Sequence, residues 1–358
     1  MKAARIVEPN KPLEVIELPS PKPTGNEVIV KVKAAGVCHS DLHLWEGGYD
    51  LGDGNFLKVT DRGVKYPITP GHEIVGTVSE IGDSVKGVSV GDQVLVYPWL
   101  GCGECPACKV GNENLCDTPR SIGLFQDGGY AENVKVPHFK YLAKISGIDL
   151  DGAASLACSG LTAYTAVKKA NMNSPEFLVI IGAGGLGLMG IQIAKAITKA
   201  KVICVDLDDN KLQTAKEMGA DFVVNSNVIG SVATGSGNAA QKIISLSNNK
   251  GADSVIDFVN APQTVKTGLA ALRKRGNLVL VGLFGGSLEL SLVTIPLKAL
   301  TIQGAYTGNY NDMVELIDLA KKGIIKPVIS QRYSLDQVND ALENLKQRKI
   351  IGRAVINP

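Results

Sequence analysis

The sequence predicts an α/β protein built from a mostly antiparallel β domain and a doubly wound domain with a parallel sheet. Up to about residue 160 the apolar runs are short and β-branched, as at 27–33 and 74–78, and glycine and proline separate them. This pattern is typical of antiparallel strands. From residue 177 onward, buried apolar runs alternate with helical periods. Such alternation indicates a parallel sheet that helices cover on both faces.

The elements of the second domain follow one another closely. The apolar runs predict strands at 177–181, 202–205, 222–224, 254–259 and 278–281. The helical periods between them predict helices at 186–198, 210–218, 241–247 and 263–272. After residue 304, helices are predicted at 313–322 and 335–346 and a short strand at 353–356. Residues 230–238 are polar and rich in glycine, which predicts a surface loop.

Composition excludes several classes of function. The chain has 358 residues, 45% of them hydrophobic, so it can bury a large core in about two domains. The net charge of +2, with acids and bases interspersed, offers no footprint for nucleic acid or an anionic membrane. No stretch approaches the roughly 18 apolar residues of a spanning helix, and the first residues do not form an export signal. We therefore expect a protein of the cytoplasm whose partner is a small molecule.

A glycine motif follows the first predicted strand of the second domain. Gly182, Gly184 and Gly187, with Gly185 and Leu186 between them, match G-x-G-x-x-G and open a helix. The glycines let backbone N–H groups approach a pyrophosphate at the positive end of the helix dipole. A glycine-rich turn of any α/β protein is the alternative, but the strand before the motif and the helix after it favour a Rossmann dinucleotide site.

The next predicted strand ends at an acidic residue. Asp206 lies 19 residues after Gly187, where a carboxylate can accept hydrogen bonds from the adenine ribose. Asp208 and Asp209 follow, and no arginine is near that could bind the 2′-phosphate of NADP. The pattern favours NAD. Asp206 could also cap the helix that follows, and the two roles are compatible.

Four cysteines lie within one short segment. Cys102, Cys105 and Cys108 are separated by two-residue gaps, and seven residues separate Cys108 from Cys116. Four thiolates at this spacing saturate a tetrahedral zinc ion and leave no open position. An iron–sulfur cluster has a shorter last gap, so it remains a minor alternative beside unligated cysteines. The segment predicts a structural zinc. The odd number of seven cysteines does not suit a disulfide framework, and the crowding of four of them favours metal binding in a reducing compartment.

A second set of possible ligands is dispersed along the chain. Cys38, His72 and Cys158 would form a Cys2His site with an open fourth position, which a catalytic zinc requires. The alternative, for each residue taken alone, is a buried thiol without a metal or an ordinary core histidine. Three of the four histidines of the chain lie in or beside these segments, which favours a catalytic zinc.

These motifs resemble the zinc-dependent medium-chain alcohol dehydrogenases, especially their archaeal and bacterial tetrameric members. The motifs are AGVCHSD (35–41), PGHE (70–73), the cysteine segment, GAGGLG (182–187) and IGR (351–353). The resemblance covers essentially the whole chain. It implies a GroES-like catalytic domain at 1–162 with a zinc lobe at about 98–118, an inserted Rossmann domain at 163–304, and a return to the catalytic domain at 305–358.

The resemblance also implies roles for residues around the catalytic zinc. In that family the residues matching Cys38, His72 and Cys158 hold the ion, and the one matching Glu73 is a further or transient ligand. Asp41 then orients the imidazole of His72 without binding the ion itself.

Roles around the cofactor and the substrate follow from the same resemblance. The contacts with NAD are His39 and Arg353 at the pyrophosphate, Asp206 and Lys211 at the adenine ribose, and Thr162 and Val281 at the nicotinamide. Ser40 and His43 match the proton relay, and Trp99 matches a wall of the substrate pocket. The glycine-containing stretch at 47–66 is longer than in many members, which predicts a loop over the cleft or at a subunit contact.

The resemblance implies an NAD-linked enzyme with one catalytic and one structural zinc per subunit. It oxidises primary or secondary alcohols, aromatic ones among them, to aldehydes or ketones and catalyses the reverse reaction, most often as a homotetramer, otherwise as a dimer. A polyol or sugar dehydrogenase of the same superfamily is the alternative within the class. A zinc-independent reductase would lack the ligands above. Outside the enzymes, a non-catalytic zinc- and NAD-binding redox sensor stays open.

Overall fold

The computed structural model describes residues 1–171, 174–227 and 237–358. The chain forms two compact units. Unit 1 comprises Met1–Gly48, Lys58–Leu161 and Thr307–Pro358, and unit 2 comprises Tyr49–Leu57 and Thr162–Tyr306. The loop predicted at 230–238 lies outside the described residues up to 236, and a helix begins at Gly237.

The strands of the described residues, in chain order, are β1 (Lys2–Arg5), β2 (Glu14–Glu17), β3 (Val28–Gly36), β4 (Gly48–Gly52), β5 (Asn55–Lys58), β6 (Glu73–Ile81), β7 (Gln93–Val96), β8 (Asn133–Val136), β9 (Leu142–Lys144), β10 (Phe177–Ile181), β11 (Lys201–Asp206), β12 (Phe222–Asn225), β13 (Ala252–Asp257), β14 (Leu272–Leu280), β15 (Thr301–Gly304), β16 (Ile329–Ser334) and β17 (Arg353–Asn357). The α-helices are α1 (His39–Glu46), α2 (Pro106–Lys109), α3 (Leu150–Ala154), α4 (Ser159–Ala170), α5 (Gly185–Ile197), α6 (Asp209–Glu217), α7 (Gly237–Leu246), α8 (Pro262–Ala271), α9 (Thr294–Lys298), α10 (Tyr310–Lys321) and α11 (Val338–Lys346). In the described parts of the chain, no helix is both long and apolar enough to cross a membrane.

Unit 2 is organised around a six-stranded parallel sheet. Its strand order is β12-β11-β10-β13-β14-β15, and each neighbouring pair is parallel. Every residue of β10 is buried because helices cover both faces of such a sheet. The order reverses between β10 and β13, and ligands of doubly wound sheets bind at the carboxyl ends of the strands beside this switch point. The predicted parallel sheet is confirmed.

Unit 1 is organised around a seven-stranded, mostly antiparallel sheet. Its order is β16-β17-β3-β6-β7-β9, with β8 paired to β3 outside this path. Only β16 and β17 pair in parallel among the neighbours of this order, and the other described pairings are antiparallel. Strand β17 at the C-terminus pairs with β3 near the N-terminus. The last residues of the chain are thereby brought to the strand that leads into Cys38.

The structure contains elements that the sequence pattern did not predict. Strand β15 has only four residues, and α1 lies in a segment where few helices were expected. The stretch predicted as a loop at 47–66 contains the paired strands β4 and β5, and its central part belongs to unit 2. There the N–H of Gly286 donates to the carbonyl of Asp50 at 3.2 Å. Contacts distant in sequence therefore shape this stretch.

Candidate active site

The four cysteines of the lobe converge on one point. Sγ of Cys102 lies 4.0 Å from Sγ of Cys108, and Sγ of Cys105 lies 3.8 Å from Sγ of Cys116. Four sulfurs that bind one tetrahedral zinc ion at about 2.3 Å lie about 3.8 Å from one another, whereas a disulfide brings two sulfurs to about 2 Å. All four cysteines are free thiols. Their geometry fits a single tetrahedral ion.

Backbone N–H groups point at two of these sulfurs. Sγ of Cys102 accepts hydrogen bonds from the N–H groups of Glu104 at 3.4 Å and Cys105 at 3.3 Å. These bonds lower the pKa of Cys102 to about 6. Sγ of Cys116 accepts from the N–H groups of Cys102 at 3.2 Å and Thr118 at 3.4 Å. Burial raises the pKa of Cys116, but these bonds outweigh it and leave the pKa below its usual value. The chain thus stabilises the thiolates of Cys102 and Cys116, the form that binds zinc, whereas burial raises the pKa of Cys108 to about 12.

One carboxylate attaches the lobe to the rest of unit 1. Glu113 accepts hydrogen bonds from the N–H of Gly101 at 3.3 Å, Nζ of Lys140 at 2.8 Å and the hydroxyl of Tyr141 at 2.7 Å. Burial raises the pKa of Glu113, but these donors outweigh it and bring the pKa below its usual value. Glu113 was not predicted from the sequence, because nothing in the spacing relates it to Lys140.

The dispersed ligands also converge, and they do so within unit 1. Cys38 is the N-cap of α1, His72 comes immediately before β6, and Cys158 comes immediately before α4. With Glu73 at the start of β6, they place one sulfur, nitrogen or oxygen atom each within 4.8 Å of all the others. Sγ of Cys38 and Sγ of Cys158 are 3.9 Å apart, and all four residues are buried. The structure thus brings together the metal ligands that the sequence predicted.

Three buried polar atoms of this cluster have no hydrogen-bond partner among the described residues: Nδ1 and Nε2 of His72 and Oε2 of Glu73. Buried polar atoms without a partner are rare. Two thiols and an imidazole nitrogen are the donor set of a Cys2His zinc site, which keeps one position open. The residues present therefore fit a catalytic zinc ion.

The close packing of ionisable groups shifts their pKa values. The hydrogen bond with Cys158 lowers the pKa of Cys38 well below its usual value and raises the pKa of Cys158 well above it. Burial raises the pKa of Glu73 to about 7, although the charge of Arg353 opposes this shift. Burial lowers the pKa of His72, but the charge of Asp41 and further partners outweigh it, so that the pKa lies above its usual value. A bound cation would favour the deprotonated form of each group.

Arg353 was expected at a pyrophosphate, and the structure places it against the metal cluster. Its NH2 group donates to Oε1 of Glu73 at 2.7 Å and lies 3.4 Å from Sγ of Cys38. The same Oε1 accepts the N–H of Ser159 at 3.1 Å. Arg353 is 4% exposed, and its Nε has no hydrogen-bond partner among the described residues. The pyrophosphate contact stays a prediction.

Asp41 lies beside His72, and its predicted role in orienting the imidazole stays a prediction. Oδ1 of Asp41 lies 3.3 Å from Nδ1 of His72 and accepts the N–H of Gly71 at 3.1 Å. Its Oδ2 accepts the N–H of Cys38 at 2.9 Å and the hydroxyl of Tyr130 at 3.0 Å. The carboxylate is completely buried. Tyr130 carries no motif in the sequence, and only the fold brings it here.

The predicted relay residues lie on α1. His39 is exposed, whereas Ser40 and His43 are half-buried. Oγ of Ser40 lies 3.9 Å from Sγ of Cys38. Ser40 is therefore beside the cluster, one turn of helix before His43. Their roles stay predictions.

Trp99, the predicted wall of the substrate pocket, also lies beside the cluster. The centre of its ring is 5.4 Å from that of His72, at an angle of 57° between the ring planes. Its Nε1 donates to the carbonyl of Ala157 at 3.0 Å, and 2% of the residue is exposed. The indole thus presents an apolar face next to a predicted ligand.

The glycine motif of unit 2 forms a tight turn between β10 and α5. Gly182 has φ +96°, a conformation that side chains rarely adopt. A Cβ on Gly187 would lie 1.7 Å from the carbonyl oxygen of Gly182, so only glycine fits there. Gly184 is the N-cap of α5, which starts with Gly185 and Leu186. The turn directs the first backbone N–H groups of the helix outward from the carboxyl end of β10, as a pyrophosphate site requires.

Asp206 ends β11 and is tied to this turn. Its Oδ2 accepts the N–H of Ala183 at 2.6 Å. The side chain of Asp208 caps α6 by accepting backbone N–H groups, including that of Lys211. Asp206 therefore does not serve as the helix cap, which leaves the predicted ribose contact as its role to be tested.

The remaining predicted cofactor contacts are also in unit 2. Lys211 is half-buried in the first turn of α6. Thr162 lies in α4 with 7% exposure, and Val281 follows β14 with 8% exposure. The N–H of Val281 donates to the carbonyl of Asp257 at 3.0 Å, so the residue lies at the carboxyl end of the parallel sheet. These contacts stay predictions.

Comparison with known proteins agrees with this arrangement. Residues 24–147 match the alcohol dehydrogenase GroES-like domain, and residues 185–322 match the zinc-binding dehydrogenase family. The NAD-dependent alcohol dehydrogenase of Sulfurisphaera tokodaii is 44% identical over 359 residues, which cover 100% of both chains. The crystal structure of the alcohol dehydrogenase of Aeropyrum pernix is similar with a TM-score of 0.89 and 34% identity, over 100% of both chains. The D-arabinose dehydrogenase of Sulfolobus solfataricus has a TM-score of 0.82 and 28% identity, over 100% of this chain and 99% of that one.

The chain belongs to the zinc-binding alcohol dehydrogenase family. The resemblance drawn from the motifs and the predicted fold class, a Rossmann sheet with a GroES-like antiparallel domain, are both confirmed. The prediction of an NAD-linked alcohol dehydrogenase is confirmed as well.

Proposed function

We propose that the protein oxidises simple and aromatic alcohols with NAD at a zinc ion held by Cys38, His72 and Cys158, and catalyses the reverse reaction. One observation carries the proposal: two buried thiols converge on a buried imidazole nitrogen that has no hydrogen-bond partner in the described chain. A structural zinc ion has four protein ligands and no open position. A set of two thiols and one imidazole leaves a position for the substrate, which favours a catalytic ion. Glu73 is a fourth, transient ligand whose charge Arg353 balances.

A second zinc ion belongs to the cysteine lobe in this proposal. The sulfur separations of 3.8 and 4.0 Å and the N–H groups directed at Cys102 and Cys116 support it. Because all four ligands are sulfurs, this ion has no open position and takes no part in the chemistry. We therefore propose two zinc ions per subunit, one catalytic and one structural.

The chain's own residues orient the substrate and move its proton. A zinc ion bound at Cys38, His72 and Cys158 acts as a Lewis acid that makes an alcohol hydroxyl more acidic, and NAD accepts the hydride. Oγ of Ser40 would accept the hydroxyl proton while it releases its own toward the cofactor ribose, and His43 would take the proton from there to solvent. Asp41 holds the imidazole of His72, and the indole of Trp99 excludes water from the alcohol carbon.

Most of the NAD contacts that we propose lie at the turn and the strands of unit 2, and His39 and Arg353 come from unit 1. Gly182, Gly184 and Gly187, with the N–H groups of Gly185 and Leu186, hold the pyrophosphate. A further set completes the contacts: His39 and Arg353 at the pyrophosphate, Asp206 and Lys211 at the adenine ribose, and Thr162 and Val281 at the nicotinamide. The carboxylates of Asp206, Asp208 and Asp209 repel a 2′-phosphate, which supports NAD over NADP.

Initial rates of NADH formation test the proposal. Primary, secondary, benzylic and polyol substrates are compared with NAD and with NADP, and the assays are repeated on metal-depleted and zinc-restored protein. We expect zinc-restored, NAD-preferring activity on simple and benzylic alcohols. The variant Cys38→Ala should lose turnover and still bind NAD, whereas Cys204→Ala, which removes a buried thiol outside both clusters, should retain turnover. Turnover by a zinc-free variant would exclude the mechanism.

A polyol or sugar substrate is the second candidate, because a D-arabinose dehydrogenase shares the fold over the whole chain. The buried indole of Trp99 beside His72 favours apolar substrates instead. Higher kcat/KM on polyols than on benzyl alcohol would support the second candidate. Tight NAD binding without reduction by any alcohol would instead indicate a redox sensor.

We further propose a homotetramer, assembled partly through the edge of the six-stranded sheet. Strand β15 ends the sheet order, and apolar side chains before it are exposed, with Leu292 at 78% and Leu297 at 71%. An exposed strand edge with apolar neighbours suits pairing with a second copy of the chain. Light scattering on the purified protein measures the oligomeric state, and a monomer would overturn the proposal.

The seven free cysteines support a reducing, cytoplasmic location, which cell fractionation tests.

A further inference from the structure

A tyrosine distant in sequence ends a chain of polar contacts behind His72. The hydroxyl of Tyr130 donates to Oδ2 of Asp41 at 3.0 Å, and Oδ1 of Asp41 lies 3.3 Å from Nδ1 of His72. All three residues are completely buried. Within 3.5 Å, the other partner of this hydroxyl among the described residues is the carbonyl of Gly36, at 3.5 Å. The bond to Asp41 is therefore the stronger of the two.

The backbone fixes the position of this phenol relative to His72. The N–H of Tyr130 donates to the carbonyl of Pro70 at 3.1 Å, and the N–H of Gly129 donates to that of Gly71 at 2.7 Å. A Cβ on Gly71 would lie 2.5 Å from Cδ1 of Tyr130, so the ring packs directly on this glycine. Gly71 immediately precedes His72. The phenol ring of Tyr130 therefore packs on the residue that immediately precedes His72.

We propose that Tyr130 is a positioning residue for the catalytic metal, whose hydroxyl holds the carboxylate of Asp41 in the orientation that orders His72. The inference rests on the proposed zinc ligands and names a residue outside them. Tyr130 is not one of the four residues whose donor atoms converge as metal ligands. It acts through Asp41.

The physical reason lies in the tautomer of His72. The imidazole binds an ion through Nε2 only when its proton is on Nδ1, and Oδ1 of Asp41 lies 3.3 Å from that nitrogen. A carboxylate turns about its last bond unless both oxygens are held. Backbone N–H groups of Gly71 and Cys38 hold one oxygen each, and the Tyr130 hydroxyl adds a second donor at Oδ2. Loss of this donor leaves the carboxylate and the imidazole less ordered, which weakens metal binding.

The rate of zinc release from the holoenzyme to a chromogenic chelator tests the inference. Tyr130→Phe keeps the ring on Gly71 and removes only the hydroxyl. We expect zinc release from the catalytic site to accelerate by about three- to tenfold, the equivalent of one hydrogen bond. Tyr97→Phe is the matched control, since Tyr97 is also buried and its hydroxyl donates to the carbonyl of Gly308 at 2.9 Å. Its release rate should equal that of the wild type.

A double-mutant cycle shows whether Tyr130 acts through Asp41. Asp41→Asn alone should weaken zinc retention by about 10- to 100-fold. Adding Tyr130→Phe to Asp41→Asn should then change the release rate less than twofold, because the path is already broken. Additive effects of the two substitutions would overturn the inference, as would an unchanged release rate in Tyr130→Phe.

Zinc content separates this inference from the proposed ligand set. Cys38→Ser identifies the release phase that belongs to the catalytic cluster, because that phase disappears from the variant. If the wild type and Cys38→Ser contain the same amount of zinc, the proposed ligand set is wrong. If a zinc ion is lost in Cys38→Ser but its release rate is unchanged in Tyr130→Phe, only the role of Tyr130 is contradicted. Melting curves of each variant verify that it is folded.

Discussion

The guanidinium of Arg353 and the carboxylate of Glu73 form an ion pair of 2.7 Å, and their side chains are 4% and 0% exposed. Arg353 begins β17 and Glu73 begins β6, and both strands pair with β3. The pair thus joins the C-terminal strand to the metal cluster. An uncompensated charge at this depth is costly, because neither partner can reach water.

Arg353→Met should therefore lower the free energy of unfolding by about 3–5 kcal/mol, measured by urea denaturation. Adding Glu73→Gln should recover more than half of the loss, since it removes the unpaired charge. Arg332→Met is the control: its pair with Asp151 is more exposed, with side chains 55% and 20% exposed, and should contribute about 0–1 kcal/mol. Equal losses in Arg353→Met and Arg332→Met would contradict this prediction.

Glu113 should make the stability of the protein depend on pH. Its pKa is lower in the folded protein than the ordinary 4.5, so it stabilises the fold above that pH, and the contribution disappears as the pH falls through the folded pKa. The melting temperature of Glu113→Gln should therefore be below that of the wild type near neutral pH, and the difference should shrink as the pH falls below 4.5 and through the folded pKa. Glu104→Gln, at an exposed position of the same lobe, should follow the wild type. A difference that stays constant with pH would refute the role of the charge.

Gly187→Ala should abolish NAD binding without loss of zinc. The added Cβ would lie 1.7 Å from the carbonyl oxygen of Gly182, and a backbone atom cannot move aside as a side chain can. We expect at least a roughly 100-fold weaker Kd for NAD by calorimetry. Gly304→Ala in the same unit meets no atom within 4 Å and is the control. Wild-type affinity in Gly187→Ala would mean that the turn does not hold the cofactor.

Removal of one lobe cysteine should separate the two metal sites. Cys102→Ser should lose one zinc equivalent and lower the melting temperature by at least about 5 °C, because a structural metal contributes several kcal/mol. Cys38→Ser should lose the other equivalent together with turnover, with a smaller change in melting temperature. Elemental analysis counts the metal, and Cys204→Ala should keep both ions. A full zinc content in Cys102→Ser would contradict the structural site.

The two local motifs could be predicted from the sequence because their geometry depends on short stretches of chain. Two residues separate Cys102 from Cys105 and Cys105 from Cys108, so one turn brings their sulfurs together. The glycine motif likewise lies within one turn between β10 and α5. The four-residue strand β15 carried no such signal, because its place depends on pairing with β14. The contribution of Tyr49–Leu57 to unit 2 depends in the same way on contacts with residues near 286.

The sequence by itself determined the family, the parallel sheet with its glycine turn, and the cysteine lobe, since local spacing and the period of apolar residues encode them. Cys38, His72 and Cys158 could be proposed as zinc ligands from their residue types, whereas Glu73 and the roles around the ion came only from the resemblance to relatives. Only the tertiary structure decided that Arg353 meets Glu73, 280 residues away, and that Tyr130 meets Asp41, 89 residues away. Strand pairing and close backbone packing set such contacts, and neither leaves a periodic mark in the sequence.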